Sequence, residues 1–295
     1  MRARPCPEGL AVVSVLFLTA ACATPRASGA RFETVETSAL PHADKVLVLE
    51  PPSYGRDLQR RYPVLYFLHE IWGGAGSLES QGVAAELTTR MADGRLPEFF
   101  VIAPSAPTSW FSDSYDGKHR YEQFLTGDLP RAIEARYRVL SGPASRGITG
   151  ISMGGYGAVK IALKHPGLFG SVSALSGALI PFGWEDLQRY SWIARWSLKR
   201  VFGGDRNHNS LAENDVWEIL RHAHFRESPF QACLRAGTQD DYRLDRVALQ
   251  FGAFLNDHGV DTTVVLEPGR HAWSYWRAAV LEIAEWHGKQ FSYDR

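Results

Sequence analysis

The sequence predicts an α/β fold in which helices cover both faces of a mostly parallel central sheet. Two observations carry this prediction. Apolar, β-branched runs alternate with helical segments over the second half of the chain, which is typical of parallel strands joined by crossover helices. In the middle of that alternation, a glycine-rich turn at residues 150–154 joins a strand-like segment to a helix-like one. With 45% hydrophobic and 22% charged residues, the chain can bury a core.

The elements are assigned in order from hydrophobic periodicity. The first part of the chain is rich in strands, with two antiparallel strands at 31–40 and 45–50 and two buried strands at 64–69 and 99–103. Apolar residues at positions 125, 129, 133 and 137 predict a helix over 125–137. The later strands are 146–151, 168–176, 230–235 and 262–266, and the later helices are 155–164, 245–258 and 273–291. The aromatic segment 182–228 interrupts this order and is predicted to form a small cap.

The N-terminus has the features of an export signal. Arg2 and Arg4 precede an apolar run at 10–21 that is too short to span a membrane as a stable helix. Residues 18–22 resemble a bacterial lipobox, which would lipidate Cys22, whereas an A-x-A cleavage site around Cys22 predicts free secretion. The expected organisation is a signal peptide over 1–21, a tether over 22–30 and one domain over 31–295. Both alternatives place the protein outside the cytoplasm, anchored at the cell envelope or secreted.

A nucleophile elbow is indicated by Gly150-Ile151-Ser152-Met153-Gly154, which fits G-x-S-x-G between a strand and a helix. A serine hydroxyl is a poor nucleophile at neutral pH. Hydrolases therefore expose it on a tight turn, where a histidine reaches it and the following backbone N–H stabilises an oxyanion. An acid and then a histidine should follow, each in a loop after a strand. Asp240 and Asp241 follow strand 230–235, and His271 follows strand 262–266.

Five motifs occur in order along the chain: Tyr121-Glu122-Gln123-Phe124-Leu125, Gly150-Ile151-Ser152-Met153-Gly154-Gly155-Tyr156-Gly157-Ala158, Leu175-Ser176-Gly177-Ala178, Gly237-Thr238-Gln239-Asp240 and Gly269-Arg270-His271-Ala272-Trp273. They resemble the motifs of the esterase D/antigen 85 family of α/β-hydrolases, and the similarity runs over about residues 40–290. Members include carboxylesterases, feruloyl and acetylxylan esterases, S-formylglutathione hydrolases and mycolyltransferases. The resemblance implies the α/β-hydrolase fold and acyl transfer through a serine, with no cofactor.

The resemblance also implies a role for each matching residue. Ser152 matches the nucleophile, His271 the general base and acid, and Asp240 the carboxylate that orients the histidine. The family pattern reads Gly-Thr-Glu-Asp followed by an apolar residue, which selects Asp240. Asp241 occupies the usually apolar place and is expected to bind substrate or to face water.

The oxyanion hole is expected to use the backbone N–H groups of Met153 and, by alignment with the family, of Ile71. The family usually has His-Gly before this second donor, but the chain has Glu70 in place of the glycine. A carboxylate close to the site disfavours a developing oxyanion. If Glu70 faces solvent or pairs with an arginine, the cost is small; if it points inward, we expect a slow enzyme or a cationic substrate.

Five residues near these motifs are candidate walls of a substrate pocket: Glu70, Trp72, Trp110, Tyr156 and Trp273. The cap adds further aromatic residues, which either shape the pocket or only pack against the sheet: Trp184, Tyr190, Trp192, Trp196 and Trp217. An ester with an aromatic or apolar part is the expected substrate. His222 and His224 have no third ligand spaced nearby, so no metal site is predicted.

The expected function is that of a serine carboxylesterase cleaving a small-molecule or envelope polysaccharide ester. One alternative is an acyltransferase that passes the acyl group to a sugar or lipid hydroxyl. An alternative of another class is a catalytically silent envelope binding protein in which Glu70 is the damaging substitution. The zero formal net charge gives no reason to expect nucleic acid, and membrane contact is expected through the lipid anchor only. Cys233 is expected to be an unpaired, buried thiol.

Overall fold

The computed structural model describes residues 29–182, 191–203, 208–223, 225 and 227–293. Its eight strands are β1 (Ala30–Val35), β2 (Asp44–Leu49), β3 (Val64–Leu68), β4 (Phe100–Pro104), β5 (Arg146–Ile151), β6 (Ser171–Leu175), β7 (Gln231–Gly237) and β8 (Thr262–Glu267). They form one sheet in the order β1-β2-β4-β3-β5-β6-β7-β8. The pairs β1/β2 and β2/β4 are antiparallel, and all other neighbours are parallel. The predicted, mostly parallel sheet is confirmed.

Helices cover both faces of this sheet. They are α1 (Ser77–Ser80), α2 (Val83–Ala92), α3 (Tyr121–Gln123), α4 (Leu129–Arg136), α5 (Met153–Lys164), α6 (Trp192–Phe202), α7 (His208–Ala212), α8 (Val216–His222), α9 (Leu244–Asp257) and α10 (Trp273–Gln290). Successive residues of β3 alternate between two core clusters, as the pleat of a strand requires. One cluster lies under α1, α2 and α10, and the other under α4, α5, α8 and α9. The α/β-hydrolase architecture is therefore confirmed.

Several elements differ from the predicted ones. The first strand ends at Val35 rather than at 40, because the Thr37 hydroxyl accepts a hydrogen bond from the Ala39 N–H and stabilises a turn. The helix predicted over 125–137 begins at Tyr121 and includes a π-helical turn at Phe124–Asp128. Pro130 follows that turn and has no N–H to donate to the preceding carbonyls. Helices α1 and α2 were not predicted.

The insertion at 182–228 contains α6, α7 and α8 in its described part. Trp217 of α8 stacks on Phe254 of α9, with ring centroids 5.2 Å apart. Its indole N–H donates to the carbonyl of Leu179, so this tryptophan attaches the insertion to α9 and to the segment that follows β6. Trp184 and Tyr190 lie outside the described residues, as do the predicted signal peptide and Cys22. Across the described ranges, the helices are either too short or too polar to cross a membrane.

Candidate active site

Ser152 lies on a strained turn between β5 and α5. Its backbone angles are φ 54° and ψ −112°, a region that a non-glycine residue occupies only when the surrounding structure enforces it. The Ser152 N–H donates to the Leu175 carbonyl at 2.9 Å, which ties the turn to β6. A Cβ atom on Gly154 would lie 2.1 Å from the Leu68 carbonyl oxygen. The glycine therefore lets α5 start directly against β3 and present the serine at the strands' carboxyl ends.

A continuous chain of hydrogen bonds joins Ser152, His271 and Asp240. The Oγ atom of Ser152 lies 3.0 Å from His271 Nε2, and His271 Nδ1 lies 2.8 Å from Asp240 Oδ2. The Asp240 side chain is fully buried and that of His271 is 11% exposed. Burial acts to raise the pKa of the Asp240 carboxyl, but the bond and charge of His271 outweigh it and hold the pKa below its usual range.

The two adjacent aspartates occupy different environments. Asp240 accepts a backbone hydrogen bond from Tyr242 at 2.9 Å, besides its contact with His271. Asp241 is exposed and forms a surface ion pair with Arg270. The geometry thus places Asp240 against the histidine, as the family pattern implies, and Asp241 toward water.

Two aromatic rings contact the imidazole of His271. Tyr242 and Trp276 both meet it edge to face, with centroids 4.9 and 4.8 Å away. The Trp276 indole donates to the Ser176 hydroxyl at 3.1 Å, which fixes its own orientation. Neither Tyr242 nor Trp276 was predicted from the sequence. Their positions, two residues after the acid and five after the histidine, are the only signal that the sequence offers.

The loop after β3 is held by a buried histidine. His69 is fully buried, its Nδ1–H donates to the Glu70 carbonyl at 2.7 Å, and its Nε2 accepts from the Ala106 N–H at 2.9 Å. Burial lowers the pKa of His69 to about 4, so the ring is neutral and its tautomer is defined by these two partners. Ile71, the expected oxyanion donor, follows directly on this loop and lines the same cavity as Ser152 and Met153.

Of the orientations considered from the sequence, Glu70 takes the inward one, since it lines the same cavity as Ser152. Its Oε1 atom accepts a hydrogen bond from the Trp273 indole at 3.0 Å. Its Oε2 atom is buried and has no hydrogen-bond partner among the described residues. A Cβ on Gly73 would lie 2.9 Å from the Glu70 carboxyl carbon, so this glycine makes room for the side chain. Glu70 pairs with an indole rather than with an arginine or with solvent.

A mainly apolar cavity of about 250 Å³ opens onto the serine. Its described walls are Glu70, Ile71, Trp110, Ser152, Met153, Ala178, Ile180, Ser191, Ala194, Tyr242, Leu244, His271 and Trp276. Two of the five candidate pocket residues, Glu70 and Trp110, are among them. Ser191 and Ala194 come from the cap, which therefore contributes small side chains to this cavity. The cap tryptophans Trp192 and Trp196 are 71% and 48% exposed.

The other three candidates lie elsewhere, which corrects the prediction. Trp72 is 60% exposed and lines a separate cleft, and its backbone is left-handed at φ 66°. Tyr156 is fully buried, and its hydroxyl donates to the Asn214 carbonyl at 2.7 Å between α7 and α8. Trp273 is engaged by Glu70 at the edge of the site. No group of three potential metal ligands comes together within the described part of the chain.

The Esterase family model, described as "Putative esterase", matches residues 37–287. Esterase Rv1288 of Mycobacterium tuberculosis is 35% identical over 145 residues, which are 48% of this chain and 31% of that protein. The acetyl esterase of Caldicellulosiruptor saccharolyticus is 25% identical over 192 residues, which are 64% of this chain and 71% of that one. The chain thus spans about a third of the length of the first of these relatives.

Two solved structures have a similar fold. A ferulic acid esterase superposes with a TM-score of 0.74 at 24% identity, covering 90% of this chain and 99% of the other. An S-formylglutathione hydrolase from Agrobacterium tumefaciens gives a TM-score of 0.71 at 19% identity, covering 90% and 98%. At these identities the likeness concerns the fold alone. Because the family model spans most of the chain, the protein belongs to this esterase family.

Proposed function

We propose that the protein is a serine carboxylesterase that cleaves esters through Ser152, His271 and Asp240. The observation that carries this proposal is the chain of hydrogen bonds at 3.0 and 2.8 Å that joins the three side chains. Membership of the esterase family supports it. The same three residue types in the same contacts perform nucleophilic catalysis on unrelated folds, so the geometry itself indicates this chemistry.

The first half of the reaction forms an acyl-enzyme. Ser152 Oγ attacks the ester carbonyl carbon, and His271 Nε2 takes the hydroxyl proton. Asp240 stabilises the imidazolium through the Nδ1–H bond. The carbonyl oxygen becomes an oxyanion, for which the N–H groups of Met153 and Ile71 are the proposed donors. When the tetrahedral intermediate collapses, His271 gives its proton to the departing alcohol.

The second half reverses these roles with water. His271 takes a proton from a water molecule, whose oxygen attacks the acyl carbon of the Ser152 ester. A second oxyanion forms in the same place and collapses, the C–O bond to Ser152 breaks, and His271 returns the proton to Oγ. The products are a carboxylic acid and the restored serine.

The walls of the cavity favour an apolar acyl group of modest size. Ile71, Ala178, Ile180 and Leu244 offer aliphatic surface, and Trp110 offers a broad aromatic one. A pocket of this kind retains apolar groups by removing their surface from water. The names of an acetyl esterase and a ferulic acid esterase among similar proteins agree with this class of substrate.

We also propose that the protein is exported and acts at the cell envelope. This proposal rests on the charged and apolar pattern of residues 1–21 and on the lipobox-like string that ends at Cys22. Mass spectrometry of the mature N-terminus tests it. A diacylated Cys22 supports the anchored form, a free N-terminus near Cys22 supports secretion, and an uncleaved chain contradicts export.

Ester hydrolysis by the purified protein and by Ser152→Ala tests the proposed activity. A series of p-nitrophenyl esters from acetate to octanoate, with a feruloyl ester, covers the expected acyl groups. We expect hydrolysis by the parent and a loss of about 10⁴-fold in kcat in the variant. The matched control is Ser80→Ala, at an exposed serine of α1. A parent that hydrolyses none of these esters, or a Ser152→Ala variant with parental rates, contradicts the proposal.

A further inference from the structure

A lysine lies fully buried in the helix that follows the nucleophile. Lys160 belongs to α5, where the neighbours that share its burial are apolar or glycine, and its side chain has no solvent exposure. A buried ion pair is seldom needed for stability, since well-packed apolar residues serve as well or better. The core alone gives no reason for a charge at this position. The contacts of the ammonium group indicate what it does.

All three N–H donors of Lys160 have acceptors. Nζ lies 2.8 Å from Glu122 Oε2, 3.0 Å from the Phe111 carbonyl and 2.5 Å from Ser112 Oγ. Three donors with three acceptors describe a charged ammonium. Burial acts to raise the pKa of the Glu122 carboxyl, but the nearby positive charges of Lys160 and Lys164 outweigh it and hold the pKa well below its usual range. Burial lowers the pKa of the Lys160 ammonium, and the Glu122 carboxylate opposes that shift.

Two of these acceptors belong to a strained loop at residues 108–112. Trp110 and Phe111 have φ angles of 54° and 49°, which is costly for bulky residues. Lys160 binds the Phe111 carbonyl directly, and Ser112, which it also binds, donates to the Trp110 carbonyl at 2.9 Å. The Lys160 ammonium group therefore holds the carbonyls of both left-handed residues, that of Phe111 directly and that of Trp110 through Ser112.

The loop presents Trp110 to the active site. Trp110 is 1% exposed and lines the cavity beside Ser152. Its indole N–H donates to the Ser197 hydroxyl of α6 at 2.8 Å, so the same side chain also contacts the cap. The next residue of the loop packs closely on α5, since a Cβ on Gly157 would lie 2.8 Å from the Phe111 side chain. Any relaxation of the loop therefore moves a wall of the cavity.

We propose that Lys160, fixed by Glu122, is a positioning residue that sets the acyl-chain selectivity of the site by holding the loop 108–112 and its Trp110. The inference rests on the proposed esterase function. Lys160 touches no reacting atom, so its loss should alter which esters fit rather than the chemistry at Ser152. The effect should fall on acyl chains long enough to contact the Trp110 wall and should spare acetate.

Three variants test this inference. Lys160→Met removes the charge while it retains most of the side-chain volume. Ser112→Ala is milder, because it breaks the link to the Trp110 carbonyl and leaves the Lys160–Glu122 pair in place. Lys164→Met is the matched control: Lys164 lies on the same helix and contacts the same carboxylate at 2.9 Å, but it makes no hydrogen bond to the loop.

The first readout is kcat/KM along the p-nitrophenyl ester series. We expect the octanoate-to-acetate ratio to change by about fivefold or more in Lys160→Met and Ser112→Ala, mainly through KM for the longer esters, and by less than about twofold in Lys164→Met. A uniform loss across the series, with an unchanged ratio, would overturn the inference. If Lys160→Met fails to fold, Ser112→Ala decides alone.

The second readout is independent of activity. The Phe111 N–H donates to Ser109 Oγ at 3.0 Å and the Ser112 N–H to the Ser109 carbonyl at 3.2 Å. We expect hydrogen exchange of segment 108–112 to be about tenfold faster in Lys160→Met and Ser112→Ala than in the parent and in Lys164→Met. Parental exchange in both test variants rejects the positioning role. An inactive parent instead rejects the proposed function, so the two failures are distinguishable.

Discussion

The carboxylate of Glu70 accepts a hydrogen bond from the indole of Trp273 at 3.0 Å. Glu70 lies on the loop that carries Ile71, and Trp273 begins α10, two residues after His271. One side-chain contact therefore joins the proposed oxyanion loop to the segment that carries the proposed base. The residue that departs from the family pattern has a structural role at the site.

This contact predicts opposite effects for two substitutions of Glu70. Glu70→Gln keeps an oxygen that can accept from Trp273 and removes a negative charge near the oxyanion, so kcat should be maintained or rise by about threefold. Glu70→Ala removes the acceptor, and kcat/KM should fall by about tenfold or more. Trp273→Phe is the matched test from the other side and should resemble Glu70→Ala. Full activity in Glu70→Ala and Trp273→Phe would show that the contact is dispensable.

His69 is expected to act on kcat through the oxyanion loop. His69→Ala removes the bond to the Glu70 carbonyl and leaves the Ala106 N–H without its acceptor. Misplacing one oxyanion donor costs up to about 3 kcal/mol of transition-state stabilisation, so kcat should fall by about 10- to 100-fold. Because this interaction is made mainly in the transition state, KM for acetate should change little. A rise in KM with an unchanged kcat would instead assign His69 to substrate binding.

The same substitution should have different effects on activity at the adjacent residues Asp240 and Asp241. Asp240→Asn leaves His271 without a carboxylate on Nδ1 and should lower kcat by about 10⁴-fold. Asp241→Asn disrupts only the exposed pair with Arg270 and should stay within about twofold of the parent, as surface ion pairs contribute little. Equal losses in the two variants, or a larger loss in Asp241→Asn, would refute the assignment of Asp240.

The buried carboxyl of Asp44 should make the stability of the protein depend on pH. Its carboxyl is buried and accepts one hydrogen bond, from the Ser105 N–H at 3.0 Å, and burial raises its pKa to about 7. The folded state therefore holds a proton that the unfolded chain releases near pH 4. The protonated Asp44 carboxyl therefore contributes up to about 4 kcal/mol to the free energy of unfolding at low pH, and this contribution is lost as pH rises from about 4 to about 7.

Asp44→Asn should remove this dependence. Thermal unfolding at pH 8 should show a higher Tm than in the parent, by about 5 °C or more, and the two proteins should converge near pH 4. Asp257→Asn, at an exposed position of α9, is the control and should follow the parent at every pH. A parent-like Asp44→Asn profile would mean that the carboxyl titrates normally in the folded protein.

The sequence was informative where candidate functional residues lie within a short local motif. Ser152, Asp240 and His271 were predicted because each follows a strand within a short recognisable string, and parallel strands bring their carboxyl ends to one edge. Cys233 was predicted to be a buried thiol, and it is free and 2% exposed in β7.

The sequence was less informative where a role depends on contacts between distant segments. Lys160 contacts Glu122 and the loop 108–112, which are separated from it by about 40 residues or more in the sequence. Hydrophobic periodicity does not predict such a contact. Tyr156 was assigned to the pocket because it lies near Ser152 in sequence, but it lies one turn farther along α5 and is directed toward the cap. Trp72 was misplaced because its own backbone is left-handed, with φ 66°, which the sequence pattern does not reveal.

Covalent labelling of the serine tests the central claim most directly. The protein is treated with a fluorophosphonate, digested, and analysed by mass spectrometry to locate the adduct. The account predicts a single phosphonyl group on Ser152 that forms rapidly in the parent. Labelling should be slower by about 10³-fold or more in His271→Ala and absent in Ser152→Ala. Labelling at another serine, or an unlabelled parent that still hydrolyses esters, would contradict it.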